Sequence, residues 1–501
     1  MNRPNFHFTP QKGWINDPNG MVYIDGEYHI FYQYYPDDII WGPMHWGHAV
    51  SRDLLHWEHK ETALYPDELG YIFSGSCIYD KENVSGLGTE KNPPLLAFFT
   101  HHDPKNGRQQ QSIAYSLDKE HFIKYENNPV IPNTEKKDFR DPKVFENPVK
   151  GGFTMALAAG ECIEFYHSVN LLEWELTGSF QPGTGAGDAA KAGLGNVEGV
   201  KTESVSGMVN GYGGICECPD CFPMETEDGT KWVLLISMCL SEEDVAKVAE
   251  RGECASAHVM QYYIGEFDGD TFIDTVHAGE PLTFEFGTDD YAAVTFAHCP
   301  ERILMGWGEN WNYVRETPAG KDKREAAEAE FGRGEEAAPA DEYRGKMTLA
   351  RKLALVKTGV GYRLQSTPMG ADTDFCIQQS PQMFHMQMEY GRECEVAFSN
   401  DLGEALIIRI CPDEIIVDRS SCGVYKAVLS LASENESNQE LISKAKDIQN
   451  KNYDILRAPR FAPEGSSMEV IYDEGYFEIF AEGGLAVFSV MTYPKQPLAY
   501  G

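Results

Sequence analysis

Ser51–Trp57 reads SRDLLHW, and its pattern returns in SLDKEHF (Ser116–Phe122), SVNLLEW (Ser168–Trp174) and EFDGDTF (Glu266–Phe272). Each copy has Asp or Asn at its third position and an aromatic ring four residues later. Each follows a strand-like run: HWGHAV, QSIAY, IEFYH and MQYYIG. Polar–apolar alternation marks those runs as half-buried strands. The Asp or Asn caps a turn, and the aromatic starts the returning strand. The repeated unit is therefore a β-hairpin. Its copies start 65, 52 and 98 residues apart, the last interval stretched by a Gly-rich insertion. A repeat of this size, built of short strands, fits the blade of a β-propeller better than a solenoid or a sandwich. The region ending near residue 355 then holds about five or six blades of roughly 50–65 residues each.

Beyond that point the texture changes. EVAFS, ALIIRI, EIIVDRS and SMEVIYDEGYFEIFAEGGLAVFSVMTY alternate without the blade pattern and are broken by Gly turns. Such a run predicts a β-sandwich. Between those strands, Glu434–Asn452 predicts a polar surface helix. The expected architecture is all-β, a propeller over 1–355 followed by a sandwich over 356–501. Two stretches interrupt the propeller. Gln181–Gly214 is rich in Gly, Ala and Ser but lacks the G-x-G-x-x-G spacing and its strand–helix context, which excludes a dinucleotide loop. Thr317–Glu342 is charged and Ala/Glu-rich, a short helix or rim loop placed to meet a neighbouring chain. The sequence is compatible with a homo-oligomer.

The 501 residues are 42% hydrophobic, enough for a sizeable core, and carry a formal net charge of -36 from 42 basic and 78 acidic residues. That charge repels phosphate backbones and anionic membranes, so neither nucleic acid nor membrane is an expected partner. No apolar run is long enough to span a bilayer. The amino terminus, MNRPNFHFTP, lacks the apolar stretch of a secretory signal. Twelve cysteines are scattered without a disulfide-framework spacing. The expected location is the cytoplasm.

Blade loops converge on a propeller's axis, so carboxylates far apart in sequence can meet there. Three loops place an acid beside proline: Asn16-Asp17-Pro18, Arg140-Asp141-Pro142 and Glu217-Cys218-Pro219-Asp220. Proline fixes φ and helps hold such a loop in one shape. Cys216-x-Cys218-x-x-Cys221 offers only part of a zinc ligand set, and His56-x-x-His59 and His101-His102-Asp103 read as ordinary satisfied or surface histidines. No metal and no cofactor are expected.

GWINDPNG (Gly13–Gly20), FSGS (Phe73–Ser76), FRDP (Phe139–Pro142) and ECPD (Glu217–Asp220) together resemble the signature set of glycoside hydrolase family 32, the invertases and fructanases. GTDDYAA (Gly287–Ala293), GWGEN (Gly306–Asn310) and GKMTLAR (Gly345–Arg351) resemble later blocks in the same order. The resemblance covers most of residues 5–355 and implies a five-bladed propeller followed by a β-sandwich. It implies Asp17 as nucleophile, Glu217 as general acid/base and Asp141 as the carboxylate that stabilises the transition state. A retaining mechanism requires one carboxyl to attack and another to protonate the leaving oxygen. Their environments must keep Asp17 ionised and Glu217 protonated, with the charges of Asp17 and Asp141 expected to raise the pKa of Glu217. Arg140 is placed to keep Asp141 charged and to donate to a sugar hydroxyl. Asn16, Gln33 and Ser74 match sugar-holding positions. Trp14, Trp41, Phe73 and Trp307 would form apolar walls, with Asp290 at the rim.

The function this implies is release of terminal β-D-fructofuranosyl units from sucrose and short fructo-oligosaccharides, with retention and water as acceptor. Sucrose 6-phosphate hydrolysis and fructosyl transfer use the same double displacement and stay open. A non-catalytic sugar-binding propeller would lack a carboxylate, and an inverting enzyme would hold the carboxyls farther apart, roughly 6.5–9.5 Å. In a cytoplasm, polymeric inulin and levan are the less expected substrates.

Overall fold

A computed structural model describes residues 3–133, 135–183, 214–250, 254–276, 280–319, 342–370, 383–434 and 439–500. Most of both insertions, 181–214 and 317–342, lies outside the described residues. Five antiparallel sheets follow one another along the chain, and their innermost strands are Gly13–Ile24, Tyr71–Tyr79, Phe139–Glu146, Gly214–Thr226 and Tyr291–Thr295. We number the sheets as blades I to V in that order. Each innermost strand touches the next, and that of blade V touches that of blade I, which closes a five-membered ring. Backbone hydrogen bonds latch the closure: Tyr23 N–H donates to Ala297 O and Ala297 N–H to Met21 O, both at 2.9 Å. A second latch is Tyr343–Arg344, which pairs in parallel with Gly13–Trp14.

The four-fold sequence repeat marks one turn, between the third and fourth strands of blades I to IV. Asp53, Asp118, Asn170 and Asp268 each accept two backbone N–H bonds on Oδ1, at 2.8–3.0 Å. The residue that follows each of them is left-handed: Leu54 (φ 67), Lys119 (φ 68), Leu171 (φ 64) and Gly269 (φ 96). The side chain thus replaces a ladder partner and reverses the chain within one turn. In two copies the indole N–H of the returning Trp caps the turn as well, Trp57 onto Leu54 O and Trp174 onto Leu171 O.

Blade V lacks this motif. Its outer hairpin, Arg351–Thr358 and Gly361–Pro368, reverses instead through a Thr-Gly turn, with Thr358 Oγ1 donating to Gly361 O at 2.7 Å. The sheet topology therefore carries the propeller to Pro368, and the expected boundary at 355 falls inside a strand of the last blade. Two further sheets form the sandwich. One contains Met383–Tyr390, Ser466–Asp473, Tyr476–Ala481 and Ala486–Met491; the other runs from Ile455–Pro459 through Glu414–Asp418 and Ala405–Ile410 to Cys394–Ser399. Phe398, Ile408, Val417, Val470, Phe477 and Phe488 fill the space between them. The predicted polar helix appears as Gln439–Asn450, and a more apolar helix, Val424–Glu434, precedes it.

The two domains meet over buried charge. Arg351 donates to Glu285 (3.0 Å) and Asp290 (2.9 Å) of the propeller, and to Glu478 (3.1 Å) and Ser489 (2.6 Å) of the sandwich. His7 bridges Asp473 (3.1 Å) and Glu478 (2.9 Å) beside it. Asp290 therefore sits in this interface and not at the pocket rim where the sequence placed it. Its neighbour Tyr291, the first residue of the innermost strand of blade V, takes the hub side. Replacing Arg351 by Met would leave three buried carboxyls without their shared counter-charge. Denaturant unfolding of Arg351→Met is expected to show a loss of about 3–5 kcal/mol; an unchanged midpoint would mean that the cluster contributes nothing to cohesion.

Candidate active site

The five innermost strands share one irregularity. Each gains one residue over its neighbour at the same height: between Ile15 and Pro18, Ile72 and Gly75, Arg140 and Lys143, Glu217 and Asp220, and Tyr291 and Val294. A β-bulge of this kind bends the strand and re-aims a side chain that plain alternation would send elsewhere. In blades III to V the bulge holds a left-handed residue, Asp141 (φ 64), Cys218 (φ 44) and Ala292 (φ 55). Proline stands in or just after three of the bulges, where its missing N–H costs no ladder bond. The ring of bulges aims side chains into one cavity of about 480 Å³ on the propeller axis.

Asp17, Asp141 and Glu217 all line that cavity, with Asn16, Gln33, Trp41, Phe73, Ser74 and Arg140 of the expected sugar-holding set. Asp17 Oδ2 accepts from Ser74 Oγ at 2.5 Å, and its Oδ1 accepts from Asn16 Nδ2 at 3.1 Å. Asn16 is itself held by the indole N–H of Trp14 at 2.8 Å. Asp141 accepts the Cys218 backbone N–H at 3.0 Å. The Cys218 thiol lies between the two aspartates, 3.7 Å from Asp17 Oδ2 and 3.6 Å from Asp141 Oδ2. Glu217 is gripped on both oxygens: Arg140 donates to Oε1 at 2.9 Å and the Tyr291 hydroxyl to Oε2 at 2.5 Å. Arg140 is fixed in turn by Asp138 (2.7 Å) and Gln109 (3.2 Å).

Two aromatic assignments change. Trp14 and Trp307 are fully buried and do not line the cavity; they pack against Trp311, which does, with ring centroids 5.7 and 4.7 Å away. They form the floor beneath the wall. Trp41 and Phe73 meet edge to face at 6.0 Å on the other side, and Phe73 stacks on His102 at 4.4 Å. Sequence reasoning missed Trp311, Tyr291, Gln109, Asp138, Cys218 and His258, all of them lining residues. Tyr291 and Trp311 lie in or beside motifs already singled out, next to the residues chosen from them.

The electrostatics also differ from expectation. Burial raises the pKa of Asp17, helped by the charge of Glu217 and opposed by the Ser74 and Asn16 donors. Burial pushes Asp141 up to about 7, opposed by Arg140 and aided by the charges of Asp17 and Glu217. Glu217 goes the other way. Burial pushes it up, but the Arg140 charge, the Tyr291 hydroxyl and His258 outweigh burial and hold it below the usual carboxylate range. These neighbours therefore favour an ionised Glu217, the reverse of the order the sequence predicted. The reason is geometric: Arg140 donates to Glu217 and not to the adjacent Asp141.

The N-terminal domain model of glycosyl hydrolases family 32 matches residues 7–368. A levanase of Bacillus subtilis (strain 168) is 43% identical over 324 residues, covering 63% of this chain and 42% of the relative. A levanbiose-producing levanase of the same strain is 30% identical over 518 residues, covering 98% of this chain and 86% of the relative. The chain spans about half the length of most curated relatives it matches. The crystal structure of exo-inulinase from Aspergillus awamori superposes with a TM-score of 0.74 at 24% identity, covering 99% of this chain and 94% of that one. This likeness shows the fold, a five-bladed propeller followed by a β-sandwich.

The Tyr291 hydroxyl stabilises the ionised form of Glu217, so its removal moves that pKa upward. A carbon-13 carboxyl titration of Tyr291→Phe is expected to show Glu217 protonating at higher pH than in the wild type. An unmoved titration would show that the hydroxyl does not act on this carboxylate.

Proposed function

The chain belongs to glycosyl hydrolase family 32, and from that premise we propose that its pocket releases terminal β-D-fructofuranosyl units with retention of configuration. One observation carries the reading: three carboxyls from blades I, III and IV line a single cavity, and a guanidinium touches one of them. Asp17 attacks the anomeric carbon as Glu217 protonates the departing oxygen, which breaks the glycosidic bond and leaves a fructosyl ester on Asp17. Glu217 then takes a proton from water, the water oxygen attacks the same carbon, and Asp17 leaves. Asp141 faces the positive charge that develops on the ring.

This charge order fits the cycle because the carboxyls act on one another: the charge of Glu217 raises Asp17, and the charges of Asp17 and Glu217 raise Asp141, so the proton's place depends on all three. Fructosyl hydroxyls that donate to Asp17 and Asp141 favour their ionised forms. A leaving oxygen beside Glu217 then finds the shared proton there. The Trp41, Phe73 and Trp311 faces suit the C–H faces of the sugar. The cavity lies within the roughly 300–1,000 Å³ usual for small-ligand sites.

Unphosphorylated substrates fit better than sucrose 6-phosphate. Among the described residues Arg140 is the only Lys or Arg lining the cavity, and it is already engaged by Glu217, Asp138 and Gln109. Sucrose and fructo-oligosaccharides are thus the proposed substrates, and relatives named levanase and exo-inulinase support adding fructan chains to them, against the expectation from the sequence. Water is the proposed acceptor. The cysteines among the described residues are free thiols, which supports a reducing compartment such as the cytoplasm.

Asp17→Asn is expected to lower fructose release from sucrose to background with the thermal unfolding midpoint preserved. Glu217→Gln is expected to lower kcat/KM, which reports the bond-cleaving step, by roughly 10²–10⁴-fold on sucrose and far less on an activated aryl fructoside. Wild-type rates in the first variant would remove Asp17 as nucleophile. Equal losses on both substrates in the second would remove Glu217 as acid.

A further inference from the structure

His258 lines the cavity on the Glu217 side, and its ring meets Tyr291 edge to face at 5.2 Å. The Tyr291 hydroxyl is the group that grips Glu217. If Glu217 protonates the departing oxygen, the leaving group lies against this wall. The chemistry His258 presents there depends on which ring nitrogen carries the proton, and a chain of amides settles it.

Asn310 Nδ2 donates to the Thr288 carbonyl at 2.7 Å. A carbonyl only accepts, so the orientation of the Asn310 amide is fixed. Its Oδ1 then faces Asn312, accepting that residue's backbone N–H at 2.8 Å and its Nδ2 at 2.6 Å. Asn312 therefore presents its nitrogen, and the second hydrogen points at His258 Nδ1, 3.1 Å away. Nδ1 must accept, so the proton sits on Nε2, the ring's other end. Ser256 supports this arrangement: its hydroxyl donates to the His258 carbonyl at 2.8 Å, which leaves the oxygen to accept from Asn310 at 3.3 Å, while Asn312 Nδ2, 3.4 Å away, has both hydrogens placed on the shorter contacts. Among the described residues, no hydrogen-bond partner of Nε2 is found. A polar hydrogen held in a set direction at a pocket wall is a group waiting for an acceptor.

We propose that His258 Nε2–H donates to a hydroxyl oxygen of the departing sugar and selects leaving groups that are themselves sugars, a glucosyl or a further fructosyl unit. This rests on the fructosidase reading above and adds a leaving-group contact to it. The Asn310–Asn312–Ser256 relay positions the imidazole, and Tyr291 joins it to the acid carboxyl. Burial also lowers the His258 pKa, against the pull of Glu217, which favours the neutral ring that the relay requires.

The test compares sucrose with p-nitrophenyl β-D-fructofuranoside, whose leaving group bears no sugar hydroxyl, using the full chain. The readout is the ratio of kcat/KM on the two substrates. Gln places an amide nitrogen near the position of Nε2, whereas Asn places one near Nδ1. His258→Asn is expected to lower the ratio by about tenfold, the worth of one neutral hydrogen bond, and His258→Gln to keep it within about threefold. Ratios that match each other in the two variants, whether both fall or both hold, overturn the assignment, because packing alone would not separate them. A wild type that frees no fructose from either substrate overturns the fructosidase reading itself.

Discussion

One extra residue at one height in each of five strands is the constraint on which the site depends. A regular strand sends successive side chains to opposite faces. At that height a bulge breaks the rule in every blade, around a closed ring, and the innermost strand of blade I carries a second one between Asn19 and Val22. Asp17 and Asp141 occupy bulges, and Glu217 directly precedes one. The left-handed backbone at Asp141 and Cys218 is strained for side-chain-bearing residues. It persists because neighbouring blades hold the same residues: Thr100 of blade II accepts the Asp141 N–H, and the Cys218 N–H donates to Asp141 across the blade III–IV seam.

Bringing three carboxyls together out of water is costly, and the fold answers with directed donors more than with bulk charge. Ser74 and Asn16 serve Asp17, a backbone amide serves Asp141, and Arg140 with Tyr291 serves Glu217. The site is therefore asymmetric before any sugar arrives. The same logic recurs between the domains, where Arg351 gathers Glu285, Asp290 and Glu478 and ties the last propeller blade to the sandwich. The sandwich in this account is a brace for the blade that supplies Tyr291.

Local chemistry explains what could be read in advance. The Asp/Asn turn is legible because one side chain does the whole job of reversing the chain, and four copies of it identify the blades. Blade V does not show in the repeat because a Thr-Gly turn performs the same reversal with different atoms, so the end of the repeat does not mark the end of the propeller. The three acids are legible because each lies within two residues of a proline in a motif of the resembled family. Asp290 and Trp307 show the limit. Each was chosen in place of a nearby residue, Tyr291 or Trp311, that faces the hub, and which way a bulged strand turns its side chains depends on pairing across the sheet. Arg140 shows a second limit: adjacency to Asp141 in sequence said nothing of its reach to Glu217. His258 carries no sequence signal at all, since its tautomer is set by amides more than fifty residues away.

The central claim is that Asp17 and Glu217 act on one sugar from a shared cavity, the first through a covalent bond. Glu217→Gln incubated with an activated aryl fructoside isolates that step, because the leaving group needs no acid while the water that follows has lost its base. Rapid quenching and peptide mass mapping are expected to find a fructosyl group esterified to the peptide bearing Asp17. Steady fructose release with every peptide unmodified, or a fructosyl group on any other carboxyl, would contradict the account.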